Sequence, residues 1–97
     1  MTIDREFSDG KLTLKVAGRL DTNTSSELEA ELKLEGLTEI VFDFSGLEYI
    51  SSAGLRVLMM AQKSMASSGG KVKVARPNEM VKGILDMTGL SSVFEMV

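Results

Sequence analysis

An α/β fold, with one mixed sheet of four or five strands covered by helices, is predicted by three features of this 97-residue sequence. Two strand-like runs, the second alternating between apolar and polar residues, meet at an Asp-Gly pair, the composition of a tight hairpin. Beyond them, strand-like and helix-like periods take turns along the chain, the pattern of helix-connected and therefore parallel strands. One run, Ile40 to Phe44, is apolar on both faces except at Asp43, as befits a strand inside a sheet.

The first element is the hairpin "TIDREFSDGKLTLKVAG". Its turn, Ser8-Asp9-Gly10-Lys11, places at its centre two residues that tolerate positive φ. After the turn Leu12, Leu14 and Val16 alternate with Thr13, Lys15 and Ala17, so one face is buried and one is wet. In "DTNTSSELEAELKLEG", Thr24 and Glu27 fit a capping box, with Leu28 and Leu32 one turn apart and Gly36 as the stop; this predicts a helix. "LTEIVFDFSG" predicts the next strand. From Ser52 the period is helical, with Leu55, Leu58, Met59, Met65 and Ala66 as the stripe, until "SSGG" at 67–70. "KVKVARP" reads as a strand with Val72 and Val74 inward. Pro77 opens a third helix, whose stripe is Met80, Val81, Ile84 and Leu85 and whose stop is Gly89. "SSVFEMV" supplies a last short strand. One domain over residues 1–97, without linker or tail, is the expectation, with right-handed crossovers and parallel pairing in the sheet centre.

Composition narrows the function. Without cysteine there is no disulfide, thiolate chemistry or Cys-based metal site; without histidine the commonest general base and metal ligand is missing. No metal, no cofactor and no enzymatic role are expected. Net charge is −3 and the eleven basic residues are scattered, which argues against nucleic acid as a partner. The N-terminus has no apolar signal region, and apolar runs fall far short of the ~20 residues a membrane span needs. A soluble cytoplasmic protein with no membrane insertion is expected.

Phosphate-loop and nucleophile-elbow patterns are absent, and a Ser-His-Asp triad is impossible. Most of the seven methionines read as gap-filling core, with Met59 or Met60 as candidates for the surface. Asp21 and Asp43 are expected to meet at the edge of the sheet where parallel strands end, beside Ser51 and Ser52. Taken singly, each is a loop or cap residue. "YISSAGLRVLM" is the informative junction. Ser51 or Ser52 caps the helix that follows, and capping needs only one of them. The other stands at a helix N-terminus, where free N–H groups suit a phosphate, and Ala53 and Gly54 leave that end open to a second protein.

The stretch "DFSGLEYISSAGLRVL", running from strand into helix, with "GRLD" and a Thr/Ser cluster before it, resembles the STAS domain in its stand-alone form, the anti-sigma factor antagonist. The likeness covers nearly the whole chain. It implies a partner switch. The unphosphorylated protein binds a serine-kinase anti-sigma factor of GHKL type and frees the sigma factor. Phosphorylation at the start of the second helix ends binding, and a PP2C-type phosphatase restores it. Some relatives carry Asp-Ser-Ser-Gly or Asp-Ser-Thr-Gly where this chain has Ser51-Ser52-Ala53-Gly54, so Ser52 matches the acceptor, Ser51 is second choice and Ala53 is excluded. The resemblance gives Asp21 and Asp43 supporting roles. Proximity adds Leu55, Arg56 and Met59 as partner contacts. The alternative is a constitutive STAS subunit of a lipid-trafficking ATP-binding cassette transporter, in which the serines only cap. A nucleotide-binding enzyme comes third.

Overall fold

The computed structural model describes all 97 residues. Strand β1 (Thr2–Ser8) and β2 (Lys11–Leu20) form the expected hairpin, with Asp9 at φ 49° and Gly10 at φ 80°, both positive as a two-residue turn of this type demands. Then follow α1 (Ser25–Glu29), β3 (Glu39–Ile50), α2 (Ser52–Ser67), β4 (Lys71–Ala75), α3 (Glu79–Met87), a single 3₁₀ turn (Leu90–Ser92) and β5 (Glu95–Met96). The sheet order is β1-β2-β3-β4-β5; β1 runs antiparallel to β2, and the other neighbours are parallel. The short final strand therefore forms, against Lys73 and Val74.

Adding parallel strands in sequence order through right-handed crossovers puts every connection on one face. The core agrees: Leu28 of α1, Val57, Leu58, Ala61 and Met65 of α2, and Val81 and Leu85 of α3 join one cluster with Leu12, Leu14, Phe42, Phe44, Val72 and Val74 of the sheet. Both faces of β3 are buried, as its sequence predicts, but Val41 has no helix over it. Its row of the sheet holds Thr13 and Lys73 in register beside it. Along that face runs an ion-pair chain, Lys11–Glu39 at 3.3 Å, Glu39–Lys73 at 3.0 Å and Lys73–Glu95 at 3.2 Å.

Four expectations are corrected. The helix predicted over residues 24–36 is only five residues long, and its capping box does not form. Thr24 Oγ1 instead donates to Arg19 O (2.8 Å) and accepts from Asp21 N (2.9 Å). Glu27, Glu31 and Glu35 repel at successive four-residue steps, and Arg5 donates to the carbonyl of Glu31 (3.1 Å) just beyond the helix. In α2 the inward stripe is Gly54, Val57, Leu58, Ala61 and Met65; Leu55 lies at its margin, and Met59 and Ala66 are exposed. Of the seven methionines only Met65 is fully buried; Met59 is exposed, in line with its candidacy for the surface, but Met80 and Met87 are exposed where core was expected. The third helix has Asn78 as its N-cap, so Pro77 precedes the cap; Met80 leaves the predicted stripe and Ile84 is half-buried.

Candidate functional site

The junction of β3 and α2 is built by the parallel pairing of β2 and β3. Leu20 and Ile50 are register partners at the ends of their strands, and Ser51 N donates to Leu20 O at 2.9 Å. The chain then turns straight into α2. Ser51 is the N-cap, extended at φ −100° and ψ 176°, and its Oγ accepts from Gly54 N at 3.5 Å. Ser52 is the first helical residue, exposed and outside the cap. Of two adjacent serines, one serves the backbone and one is spare.

Gly54 has a different role from the one its small size suggests. It is buried, and a Cβ there would lie 2.8 Å from Leu20 Cγ and 2.9 Å from Ile50 Cγ1. The missing side chain lets the helix press onto the ends of β2 and β3; it does not open the site to a partner. Ala53 is half-buried.

Along the outer side of α2, Ser52, Leu55, Arg56, Met59, Met60 and Lys63 line an open groove of about 370 Å³. Its apolar side chains sit between two cations. Arg56 is held loosely: Nη2 stands 3.7 Å from Glu29 Oε1 on α1, and Nη1 donates to Met60 Sδ at 3.5 Å. Met60 is a surface candidate in the sequence, whereas Lys63 and Glu29 are not among the sequence-based candidates. Lys63 lies seven residues after Arg56, two helical turns along the same face, so a helical projection finds it. Glu29 depends on how α1 packs, which no local pattern carries.

The two aspartates part company. Asp21 follows Leu20 and so lies next to Ser51. Its Oδ1 accepts from Asn23 N (3.0 Å) and Thr24 N (3.2 Å), and Oδ2 is 3.7 Å from Arg19 Nε. Partial burial pushes its pKa up, but the hydrogen bonds from Asn23 and Thr24 and the charge of Arg19 outweigh this and hold it below the usual value. Arg19 also stacks on Tyr49, 4.5 Å from the ring centroid. Asp43 is seven residues upstream of Ile50, in register with Lys15 and Ala75, because β3 runs on through two register shifts instead of ending near Phe44. It is 3% exposed, its Oδ1 accepts from Ser45 N (3.0 Å), and its Oδ2 pairs with Arg76. The structure thus gathers Asp21, Ser51, Ser52, Ala53, Gly54, Leu55 and Arg56 about the start of α2, continues the groove to Met59 at mid-helix, and leaves Asp43 outside.

No cluster of three or more His, Cys, Asp or Glu side chains forms, and no helix is long and apolar enough to cross a membrane. A sequential sheet, antiparallel only at its first strand, whose second helix starts at a capped serine beside a spare one, defines a class of domain. The chain belongs to the STAS domain family: the family model described as "Mlab, STAS domain" matches residues 3–97. The proteins it is similar to include anti-sigma factor antagonists. The putative anti-sigma factor antagonist BtrV of Bordetella bronchiseptica is 31% identical over 97 residues, covering 97% of this chain and 84% of the relative. A putative anti-sigma factor antagonist of Thermotoga maritima has a crystal structure similar to this one at a TM-score of 0.88, with 24% identity over 97% of this chain and 84% of that one. The Bacillus cell fate determinant SpoIIAA, in its phosphorylated form, shares the fold at a TM-score of 0.80 with 15% identity, over 99% of this chain and 91% of that one.

Proposed function

We propose that this protein is an anti-sigma factor antagonist that works as a phosphorylation-controlled partner switch in the cytoplasm, and not as an enzyme. Unphosphorylated, it binds a serine-kinase anti-sigma factor of GHKL type through the α2 groove and so frees the sigma factor. The kinase transfers the γ-phosphoryl group of ATP to Ser52 Oγ, the hydroxyl proton leaves to a base of the kinase, and ADP departs. A PP2C-type phosphatase hydrolyses the ester.

The observation that carries this reading is the position of Ser52: exposed, first in its helix, outside the cap and on the rim of the groove. A phosphate there adds roughly −1.5 to −2 charge at the end of a helix that favours anions, so the fold tolerates it. A partner seated on Leu55, Met59 and Met60 does not, because burying an unpaired charge costs several kcal/mol and each ~1.4 kcal/mol is tenfold in affinity. Ser51, whose oxygen is used by Gly54 N, is the second-choice acceptor.

Incubation with the cognate kinase and ATP, followed by intact-mass measurement and peptide mapping, tests the reading. One phosphate on the peptide containing Ser52, absent in Ser52→Ala, is expected, and Ser52→Asp should weaken kinase binding at least about tenfold. Phosphate persisting in Ser52→Ala moves the acceptor to Ser51. A kinase that binds the chain yet leaves it unmodified turns the groove into a permanent docking face. The apolar side chains of Leu55, Met59 and Met60 suit that second reading, a constitutive STAS subunit of a lipid-trafficking transporter.

A further inference from the structure

We propose, resting on the Ser52 reading above, that Arg56 is the internal receiver of the Ser52 phosphate, leaving Glu29 to take it. The two residues are four apart in α2, which places their Cβ atoms about 5–6 Å from each other on one face, with the anion N-terminal to the cation in the favourable order. Both line the same groove. Neither present tie of Arg56 is strong: the carboxylate of Glu29 is 3.7 Å away and the sulfur of Met60 is 3.5 Å away. The Arg56 side chain is 63% exposed, so it turns without leaving a packed site. A phosphate offers up to two charges and three acceptor oxygens to the planar guanidinium fork, against one charge from an exposed carboxylate. The other groove cation, Lys63, is eleven residues from Ser52, about 16 Å along the helix, and does not reach.

Such an exchange changes the surface twice for one modification. Arg56 is withdrawn from any partner that uses it, and Glu29 is released as a free anion where α1 meets α2. The net charge changes only by that of the phosphate, but its distribution shifts: Arg56 is paired to the phosphate on α2 and the carboxylate of Glu29 on α1 is left unpaired.

A chain carrying phosphoserine at position 52, installed by semisynthesis, allows the test without any kinase. Phosphorus NMR follows the second ionisation of the phosphate, ordinarily near pH ~6. Arg56→Gln should raise that pKa by about half a unit, Arg56→Lys should keep part of the effect, and Lys63→Gln should leave it unchanged. An unchanged pKa in Arg56→Gln, or an equal rise in Lys63→Gln, overturns the proposal, the latter because it would show diffuse screening. Failure of a kinase to modify Ser52 would sink the switch reading without altering this titration, so the two failures are told apart.

Discussion

The starts of α2 and α3 solve the same problem in opposite ways. At α3, Asn78 Oδ1 accepts from Val81 N at 2.8 Å, its Nδ2 donates to Leu47 O at 3.0 Å, and Glu79 supplies a negative charge in the first turn. One first-turn backbone donor, both polar ends of the cap side chain and the helix dipole are thus answered within the chain. At α2, Ser51 makes one long bond of 3.5 Å, no acidic residue follows, and the hydroxyl of Ser52 is spare. The first end holds the fold; the second is left with unused capacity for an anion, and the switch is assigned there.

The sharpest way to break this comparison uses one glycine from each helix. Gly54→Ala should destabilise by about 2 kcal/mol, because strain against Leu20 and Ile50 exceeds the gain in helix propensity. Gly83→Ala in α3 meets nothing within 4 Å and should stabilise by up to about 1 kcal/mol. Urea unfolding of both variants checks the signs; a stabilised Gly54→Ala would mean that α2 is not pressed onto the strand ends.

Next in size are the caps themselves. Asn78→Ala removes a short cap bond and leaves Leu47 O without its donor, for an expected loss of about 2 kcal/mol. Ser51→Ala removes one long bond and should cost about 0.5 kcal/mol. Equal losses in thermal or urea unfolding would erase the distinction between a structural and a spare helix start.

Much of this was legible in the sequence, and the failures share a cause. Asp9-Gly10 specified the hairpin because only certain residues accept its φ angles. Alternation placed Leu12, Leu14 and Val16 in the core. Two adjacent serines exceed what one cap requires, which marks the junction; it is the resemblance to the STAS domain, not the spacing, that selects Ser52 of the two. By contrast, α2 is apolar over most of its circumference, so periodicity could not choose between a stripe through Leu55 and Met59 and one through Val57 and Ala61. The methionines were misplaced for the same reason, since a flexible apolar side chain suits both a core and a groove. Thr24 fitted a capping box on paper, but its hydroxyl was taken by Arg19 and Asp21, a competition visible only once β2 and α1 are folded together. The end of β3 was misjudged because its register shifts against β2 carry it past Asp43 to Ile50.

The smallest expected effect concerns the carboxylates near the two helix starts. Burial pushes the Asp43 carboxyl up, but the Ser45 amide and Arg76 more than offset it and hold it below its ordinary value of 3.8; Asp21 is held below the same value by Asn23, Thr24 and Arg19 despite its own partial burial. A carboxylate whose pKa is depressed by folding stabilises fully above its unfolded pKa and loses that contribution as pH falls through the folded one. Stability should therefore begin to decline as pH drops below about 4, with the shift at each site setting how far down the decline continues. Asp43→Asn loses the charged pairing with Arg76 at every pH, so it should be less stable near neutrality and show a shallower acid slope. Asp21→Asn keeps an oxygen for the Asn23 and Thr24 amides but loses the charge that strengthens those bonds and attracts Arg19, so at neutral pH it should cost less than Asp43→Asn while its acid slope also flattens. Urea midpoints at about pH 5 and about pH 3 separate the two patterns. If Asp21→Asn cost as much as Asp43→Asn near neutrality, the α2 end would be held as firmly as the α3 end, and the spare capacity assigned to it would not exist.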